Sequence, residues 1–129
     1  AGVLVELACE TDFVAKSEEF KDAAKQIAMH IAAMKPTYLN IDEVPDSKVN
    51  EEKDIIKKQS ENEGKSQEVI DKIVDGKITS FYSDTVLNEQ IFCNPELYEG
   101  TVGNMIDEMS GKLGEKIYIK QFSHIEIGT

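Results

Sequence analysis

The sequence predicts an α+β fold in which helices cover one face of a small antiparallel sheet and one charged helix stays exposed. Apolar residues recur at every second position near the start and near the end of the chain, which is typical of half-buried strands. Between these segments they recur at helical spacing. Two strands that enclose several helices can pair if the helices pack on one side of the sheet. Because two strands alone are marginally stable, we expect a further strand upstream of Ala1.

The composition describes a single acidic domain over residues 1–129. Lysine and arginine total 14 and aspartate and glutamate total 25, which gives a formal net charge of −11. A nucleic-acid binder needs clustered cations to displace counterions from phosphates, and docking on anionic lipid needs a basic face. The longest weakly polar run, residues 27–34, is far shorter than the roughly 20 residues of a membrane span. We therefore expect neither a nucleic acid nor a membrane as a partner.

The first two predicted elements flank a short junction. A strand spans residues 3–9 and ends at Thr11, a residue type that favours caps and turns. Ser17 then caps a helix whose first turn is acidic, which matches the positive end of the helix dipole. Pro36 stops this helix. Its apolar residues at helical spacing are Phe20, Ala24, Ile27, Ile31 and Met34.

Two further helices are predicted in the middle of the chain. Residues 46–63 are charged on nearly all sides, which predicts an exposed helix closed by Gly64. Its narrow contact seam consists of Val49, Ile55 and Ile56. A longer amphipathic helix follows, and Gly76 weakens its middle. The apolar side of that helix consists of Val69, Ile70, Ile73, Val74, Ile78 and Phe81.

The last part of the chain predicts a loop, a helix and a strand. Residues 92–100 form a loop or a short strand, Thr101 caps the helix, and Gly111 and Gly114 end it. The apolar side of this helix, whose methionines we assign to the core, consists of Val102, Met105, Ile106, Met109 and Leu113. A strand over residues 117–127 closes the chain, and a bulge or a change of surroundings midway would explain why its apolar face is interrupted. That face holds Ile117, Ile119, Ile125 and Ile127, while Phe122 points the other way.

Residue types that carry catalysis are sparse and scattered. His30 and His124 lie in the first long helix and in the last strand, where a lone histidine is usually a packed residue. Cys9 and Cys93 have no metal-ligand spacing, and free thiols indicate a reducing, cytosol-like compartment. We therefore expect no metal, no cofactor and no catalytic residue. The minority hypothesis is an enzyme, a small hydrolase or transferase whose fold builds a site around Cys9 or His124.

The junction between the first strand and the first long helix is the most informative segment. Residues 11–16 read Thr-Asp-Phe-Val-Ala-Lys. A phenylalanine where two elements meet is usually part of the core. Phe13, however, lies where a single turn should project, and a rigid aromatic beside a carboxylate also suits insertion into a partner's pocket. Both interpretations of Phe13, core residue and anchor, stay open at this point.

Residues 6–16, Glu-Leu-Ala-Cys-Glu-Thr-Asp-Phe-Val-Ala-Lys, resemble the signature of bacterial translation elongation factor Ts. Two further segments are similar to that family: residues 27–36, which match its helix before the first proline, and residues 112–122 with Glu126, which match its closing helix and strand. The resemblance spans nearly all of the chain and implies the core (dimerisation) domain of the short bacterial type. We expect this sequence to be a fragment that lacks the family's N-terminal helical module.

The resemblance implies a function and a partner: exchange of the guanine nucleotide of the GTPase elongation factor Tu, without catalytic residues on this chain. The site residues that it carries over are Thr11, Asp12, Phe13 and Val14. Asp12 and Phe13 would form a wedge, in which Phe13 separates packed side chains of the GTPase and Asp12 competes for groups that hold its magnesium ion. Magnesium bridges the nucleotide phosphates, so its loss promotes GDP release. His30 is a weaker candidate for contacting the partner.

Three departures from the family pattern bear on the partners. Ala8 stands where the family usually has asparagine, and Gln121 and Ser123-His124 stand where relatives carry arginine or Cys-Arg. The alternative function is therefore a homodimerisation or interaction module without exchange activity, which would use the exposed edge of the first strand. The resemblance implies a bacterial cytoplasm, and a mitochondrial or plastid origin stays open.

Overall fold

The computed structural model describes residues 1–128 and confirms the predicted α+β class. Within these residues, no helix is both long enough and apolar enough to cross a bilayer. The strand expected upstream of Ala1 lies outside this sequence and stays a prediction. In chain order the elements are β1 (Gly2–Ala8), α1 (Asp12–Ala15), α2 (Glu18–Met34), a 3₁₀ turn (Ile41–Glu43), α3 (Asp46–Asn62), α4 (Gln67–Thr85), a second 3₁₀ turn (Leu87–Glu89), α5 (Val102–Leu113) and β2 (Tyr118–Ile125).

The two strands pair antiparallel along their whole length. Glu6 is opposite Gln121, whereas the next residue of β1, Leu7, is opposite Ile119. Lys120 is therefore the extra residue of a β-bulge, which confirms the predicted bulge in the last strand. The side chain of Gln121 donates a hydrogen bond to the Glu6 carboxylate at 2.8 Å, on the outer face of the sheet.

The bulge changes which residues of the last strand face the core. Ile117 and Ile119 are buried, but beyond the bulge it is Phe122 that packs against the core. Ile125 and Ile127 are 67% and 91% exposed. The predictions that the four isoleucines share one face and that Phe122 points away from it are therefore wrong. The reason is that one inserted residue shifts the alternation of inward and outward side chains by one position.

Helix α2 packs against β1 and, together with α5, encloses the main core. Ser17 begins the helix by accepting the N–H of Phe20 at 3.3 Å, as predicted. The helix ends at Lys35, which takes the left-handed conformation (φ 49°) directly before Pro36. The buried residues of this core are Val14, Phe20, Ile27, Ile31, Leu39, Leu87, Phe92, Val102, Ile106, Met109, Ile117 and Ile119.

Helices α3 and α4 form a hairpin around a second, smaller cluster. The cluster consists of Ile70, Val74 and Ile78, flanked by Val49, Ile56 and Tyr82. Helix α3 is exposed along most of its length, as its charged sequence predicts. Ile55 and Val69, which the apolar pattern assigned to the packed sides, are 47% and 45% exposed. A hairpin of two helices covers only a narrow stripe of each, so the outer members of both apolar sides remain in water.

Helix α5 lies between a threonine cap and a glycine cap. The Thr101 side chain accepts a backbone N–H of the first turn at 3.1 Å, and the helix ends at Gly114 in the left-handed conformation (φ 69°). Gly111 lies inside the helix, so the prediction that it helps to end the helix is wrong; the left-handed conformation is needed only at Gly114. Met109 is buried and Met105 packs against the main core, as predicted.

Gly103 lets α5 approach the second 3₁₀ turn closely. A Cβ atom at position 103 would lie 2.9 Å from the backbone carbonyl oxygen of Asn88. We expect Gly103→Ala to lower the free energy of unfolding by about 1–2 kcal/mol, because this clash outweighs the gain in helix propensity. Gly111→Ala, whose Cβ would meet open space in the same helix, should instead raise it by about 0.5–1 kcal/mol. Urea unfolding measures both changes, and a shift of the same sign in the two variants would contradict the close approach.

Candidate protein-binding tip

Residues 11–16, called the tip from here on, form a closed single turn between β1 and α2. The Thr11 hydroxyl oxygen accepts the N–H of Val14 at 3.3 Å, and the Thr11 carbonyl accepts the N–H of Ala15 at 3.1 Å. At the other end the Ser17 hydroxyl donates to the carbonyl of Val14 at 2.7 Å. Hydrogen bonds at both ends give the turn a defined direction.

The tip sends its two large apolar side chains in opposite directions. Val14 is 5% exposed and belongs to the main core, whereas Phe13 is 86% exposed and Asp12 beside it is also exposed. The interpretation of Phe13 as a core residue is therefore wrong. Burying a phenylalanine side chain stabilises a fold by about 1.5–3 kcal/mol. Among the described residues, Phe13 does not contribute this stabilisation because it stays exposed. The geometry fits the anchor interpretation, and contact of Asp12 and Phe13 with a partner stays a prediction.

Glu115 contacts the tip from the far end of the sequence, and sequence reasoning missed it. Its carboxylate accepts the backbone N–H groups of Glu10 and Thr11, each at 3.0 Å, and the Thr11 hydroxyl at 2.5 Å. The pKa of Glu115 is lowered chiefly by the Thr11 hydroxyl and further by the two backbone donors, against a partial loss of solvation. The local sequence holds no signal for this contact, because Glu115 simply follows a helix-ending glycine.

His30 lies wholly inside the fold. Its Nδ1 accepts the backbone N–H of Cys93 at 3.0 Å, so Nε2 carries the proton and donates to the Gln90 side-chain oxygen at 2.9 Å. The ring also stacks on Phe92 at 5.7 Å between centroids. Gln90 in turn donates to the carbonyl of Asp84 at 2.9 Å, which ties α2 to the end of α4. The geometry supports the packing interpretation of His30, while its contact with a partner stays a prediction.

The buried His30 makes stability depend on pH. Burial lowers its pKa, and the hydrogen bond to Gln90 opposes this shift. Because the folded pKa lies below the unfolded value of about 6.5, the stabilisation is complete above the unfolded pKa and is lost as the pH falls towards the folded pKa. We expect the urea concentration at the unfolding midpoint to decrease as the pH is lowered from about 7.5 to about 5.5. The decrease should be smaller in His30→Phe. An equal fall in both proteins would contradict this assignment.

The residues of the enzyme hypothesis lie apart in the fold. Cys9 follows the end of β1 where Ala8 pairs with Tyr118, whereas His124 pairs with Val3 at the other end of the sheet. The Cys9 thiol donates to the backbone carbonyl of Thr11 at 3.2 Å. The described residues contain no group of three or more His, Cys, Asp or Glu side chains placed to hold a metal ion. Cys9 and His124 therefore do not share a site, although each stays a candidate alone.

Comparisons with known proteins identify a class, the translation elongation factors. A family model described as Elongation factor TS matches residues 21–128. The chain is 44% identical over 127 residues to Elongation factor Ts of Coprothermobacter proteolyticus, 43% over 128 residues to that of Syntrophus aciditrophicus and 45% over 127 residues to that of Desulforamulus reducens. Each alignment covers 98% of this chain. The chain therefore belongs to the elongation factor Ts family.

The comparisons also show how much of each relative's length this chain covers. The chain spans 64%, 62% and 58% of the lengths of these three relatives. The family model begins at residue 21, after the tip, so its match supports the fold and the family but assigns no role to Asp12 or Phe13.

Proposed function

We propose that this chain is a guanine-nucleotide exchange factor for elongation factor Tu and that it promotes GDP release by an Asp12–Phe13 wedge. One observation carries the proposal: in a chain of the elongation factor Ts family, Phe13 is 86% exposed beside an exposed carboxylate on a hydrogen-bonded turn. Anchors of protein interfaces are commonly rigid aromatic side chains that fill a pocket of the partner. The tip has this form before any partner is bound, so little conformational entropy is lost on binding.

The wedge acts by competition within the GTPase. Phe13 enters between packed side chains near the helix that supports the magnesium site, and Asp12 competes for the groups that hold the ion. Since magnesium bridges the nucleotide phosphates and neutralises their charge, its displacement weakens GDP binding. The factor and the nucleotide then weaken each other's binding by the same coupling free energy. In this mechanism the chain needs no catalytic residue, and it acts in the cytoplasm of a bacterium.

The test is the release rate of a fluorescent GDP analogue from elongation factor Tu with this chain, with Asp12→Ala and with Asp46→Ala. Asp46 is the matched control, because it is an exposed aspartate in the first turn of α3. We expect the parent chain and Asp46→Ala to speed release alike, and Asp12→Ala to speed it less. Unchanged release with the parent chain, together with undetectable binding, would refute the proposed function.

The outer face of the sheet supports a second candidate function, homodimerisation. Leu4 and Ile125 are 76% and 67% exposed near one end of this face, and Tyr118 is 45% exposed at the other end. Apolar groups on an exposed two-stranded sheet favour association with a second copy. Sedimentation over a range of concentrations tests this: a concentration-dependent dimer that Leu4→Lys abolishes would support it, and a monomer throughout would exclude it.

A further inference from the structure

We propose that Glu115 is a positioning residue for the wedge: its carboxylate clamps the chain at Glu10 and Thr11 and so fixes the direction in which α1 presents Asp12 and Phe13. The inference rests on the proposed function for its consequence in nucleotide exchange. Its structural part, the clamp on the tip, can be tested without the GTPase.

The clamp consists of three hydrogen bonds from two consecutive residues. One oxygen, Oε1, accepts the backbone N–H groups of Glu10 and Thr11 at 3.0 Å each, and Oε2 accepts the Thr11 hydroxyl at 2.5 Å. Hydrogen bonds to an ionised acceptor are about twice as strong as those between neutral groups. Together they hold the residues that lead into α1 at both the main chain and the side chain.

Thr11 transmits the clamp to the turn that follows. Its hydroxyl hydrogen points to Glu115, which leaves a lone pair of the same oxygen for the N–H of Val14 at 3.3 Å. Without the carboxylate, the hydroxyl is free to rotate and the cap of α1 loses its fixed geometry. Because Phe13 lies within this single turn, its direction depends on the same oxygen.

Glu115 is itself held by the main core. It follows Gly114, and its N–H donates to the carbonyl of Ser110 at 3.3 Å. The Ser110 hydroxyl bridges the backbone of Ile117, accepting its N–H at 3.0 Å and donating to its carbonyl at 3.1 Å. Ile117 is 3% exposed. The carboxylate therefore reaches the tip from a turn fixed between α5 and β2.

The first measurement compares Glu115→Gln with Glu43→Gln in the complete chain. Glu43 is the matched control, because it also accepts a backbone N–H, that of Leu39 at 3.0 Å, but in the connector between α2 and α3. Glutamine retains one carbonyl oxygen for backbone donors but offers Thr11 an N–H₂ group in place of Oε2. We expect Glu115→Gln to reduce the acceleration of GDP release from elongation factor Tu about tenfold, the order expected for the loss of one hydrogen bond to a charged group, and Glu43→Gln to leave it unchanged.

A double-mutant cycle separates positioning from a general loss of stability. If Glu115 acts through the tip, Phe13→Ala should reduce GDP release less in the Glu115→Gln background than in the parent chain. Thr11→Val, which removes the hydroxyl that contacts Glu115 and the N–H of Val14, should reduce the acceleration of GDP release as Glu115→Gln does. Full additivity of the Phe13 and Glu115 effects, or equal effects of the Glu115 and Glu43 variants, would overturn the proposal.

Amide hydrogen exchange tests the clamp in the free chain. We expect the amides of Thr11 and Val14 to exchange about tenfold faster in Glu115→Gln, while those of α2 stay protected. Unchanged protection of Thr11 and Val14 would overturn the positioning role whatever the exchange assay shows. If the parent chain neither speeds GDP release from elongation factor Tu nor binds it, while these amides lose protection in the variant, the proposed function is refuted and the clamp is upheld.

Discussion

Phe13→Ala is expected to reduce the acceleration of GDP release from elongation factor Tu by about 30-fold, since anchors of interfaces contribute about 2 kcal/mol or more. Phe13 is 86% exposed in the free chain, so its removal costs the fold little and the loss appears in the interaction with the partner. Stopped-flow release of a fluorescent GDP analogue measures the rate, and thermal unfolding of the variant should match that of the parent chain.

Leu97→Ala is the matched control for this experiment. Leu97 is 58% exposed on the loop before α5, so the substitution also removes an exposed apolar side chain, but away from the tip. We expect Leu97→Ala to speed GDP release from elongation factor Tu as much as the parent chain does. If both variants speed GDP release less than the parent chain, or if neither does, the tip is not the anchor.

His30→Ala is expected to lower the free energy of unfolding by about 3 kcal/mol. The substitution leaves the buried Gln90 side-chain oxygen and the partly buried Cys93 N–H without their partner, and an unsatisfied buried group costs about 1–3 kcal/mol. It also removes the ring that stacks on Phe92. Urea unfolding at about pH 7.5 measures the loss, where the ring is neutral.

His124→Ala and His30→Phe complete the comparison. His124 is half-buried on β2, and its Nε2 atom has no hydrogen-bond partner among the described residues, so we expect its removal to cost about 1 kcal/mol. His30→Phe keeps a ring beside Phe92 but makes neither hydrogen bond, and its stability should lie between those of His30→Ala and the parent. Equal losses for the two alanine variants would contradict the role of the buried hydrogen bonds.

Local sequence determined most of the elements of this protein, because the signals that begin and end a helix act over a few residues. Ser17 and Thr101 each accept an N–H three positions ahead, which begins a helix, and α2 ends directly before Pro36. The exposed, charged helix α3 was likewise predicted from its own composition. Resemblance to the elongation factor Ts family, carried by residues 6–16 and two later segments, was also readable from the sequence, and the family comparisons confirm it.

The orientation of individual side chains was decided by tertiary structure. The pattern of the last strand predicts all four isoleucines on one face, but pairing with β1 places the extra residue at Lys120 and turns Phe122 towards the core. A bulge alters every later position of a strand, and its place depends on the partner strand as much as on the strand itself.

At the tip, too, local sequence determined some features and tertiary structure determined others. Its sequence predicts a projecting turn, but it leaves open whether Phe13 is a core residue or an anchor; in the fold Val14 enters the core and Phe13 stays exposed. Glu115 left no local signal, since its donors lie 105 and 104 positions away. Periodicity and capping describe neighbours along the chain, whereas a carboxylate finds distant backbone donors only after α5 and β2 have packed and fixed the turn between them.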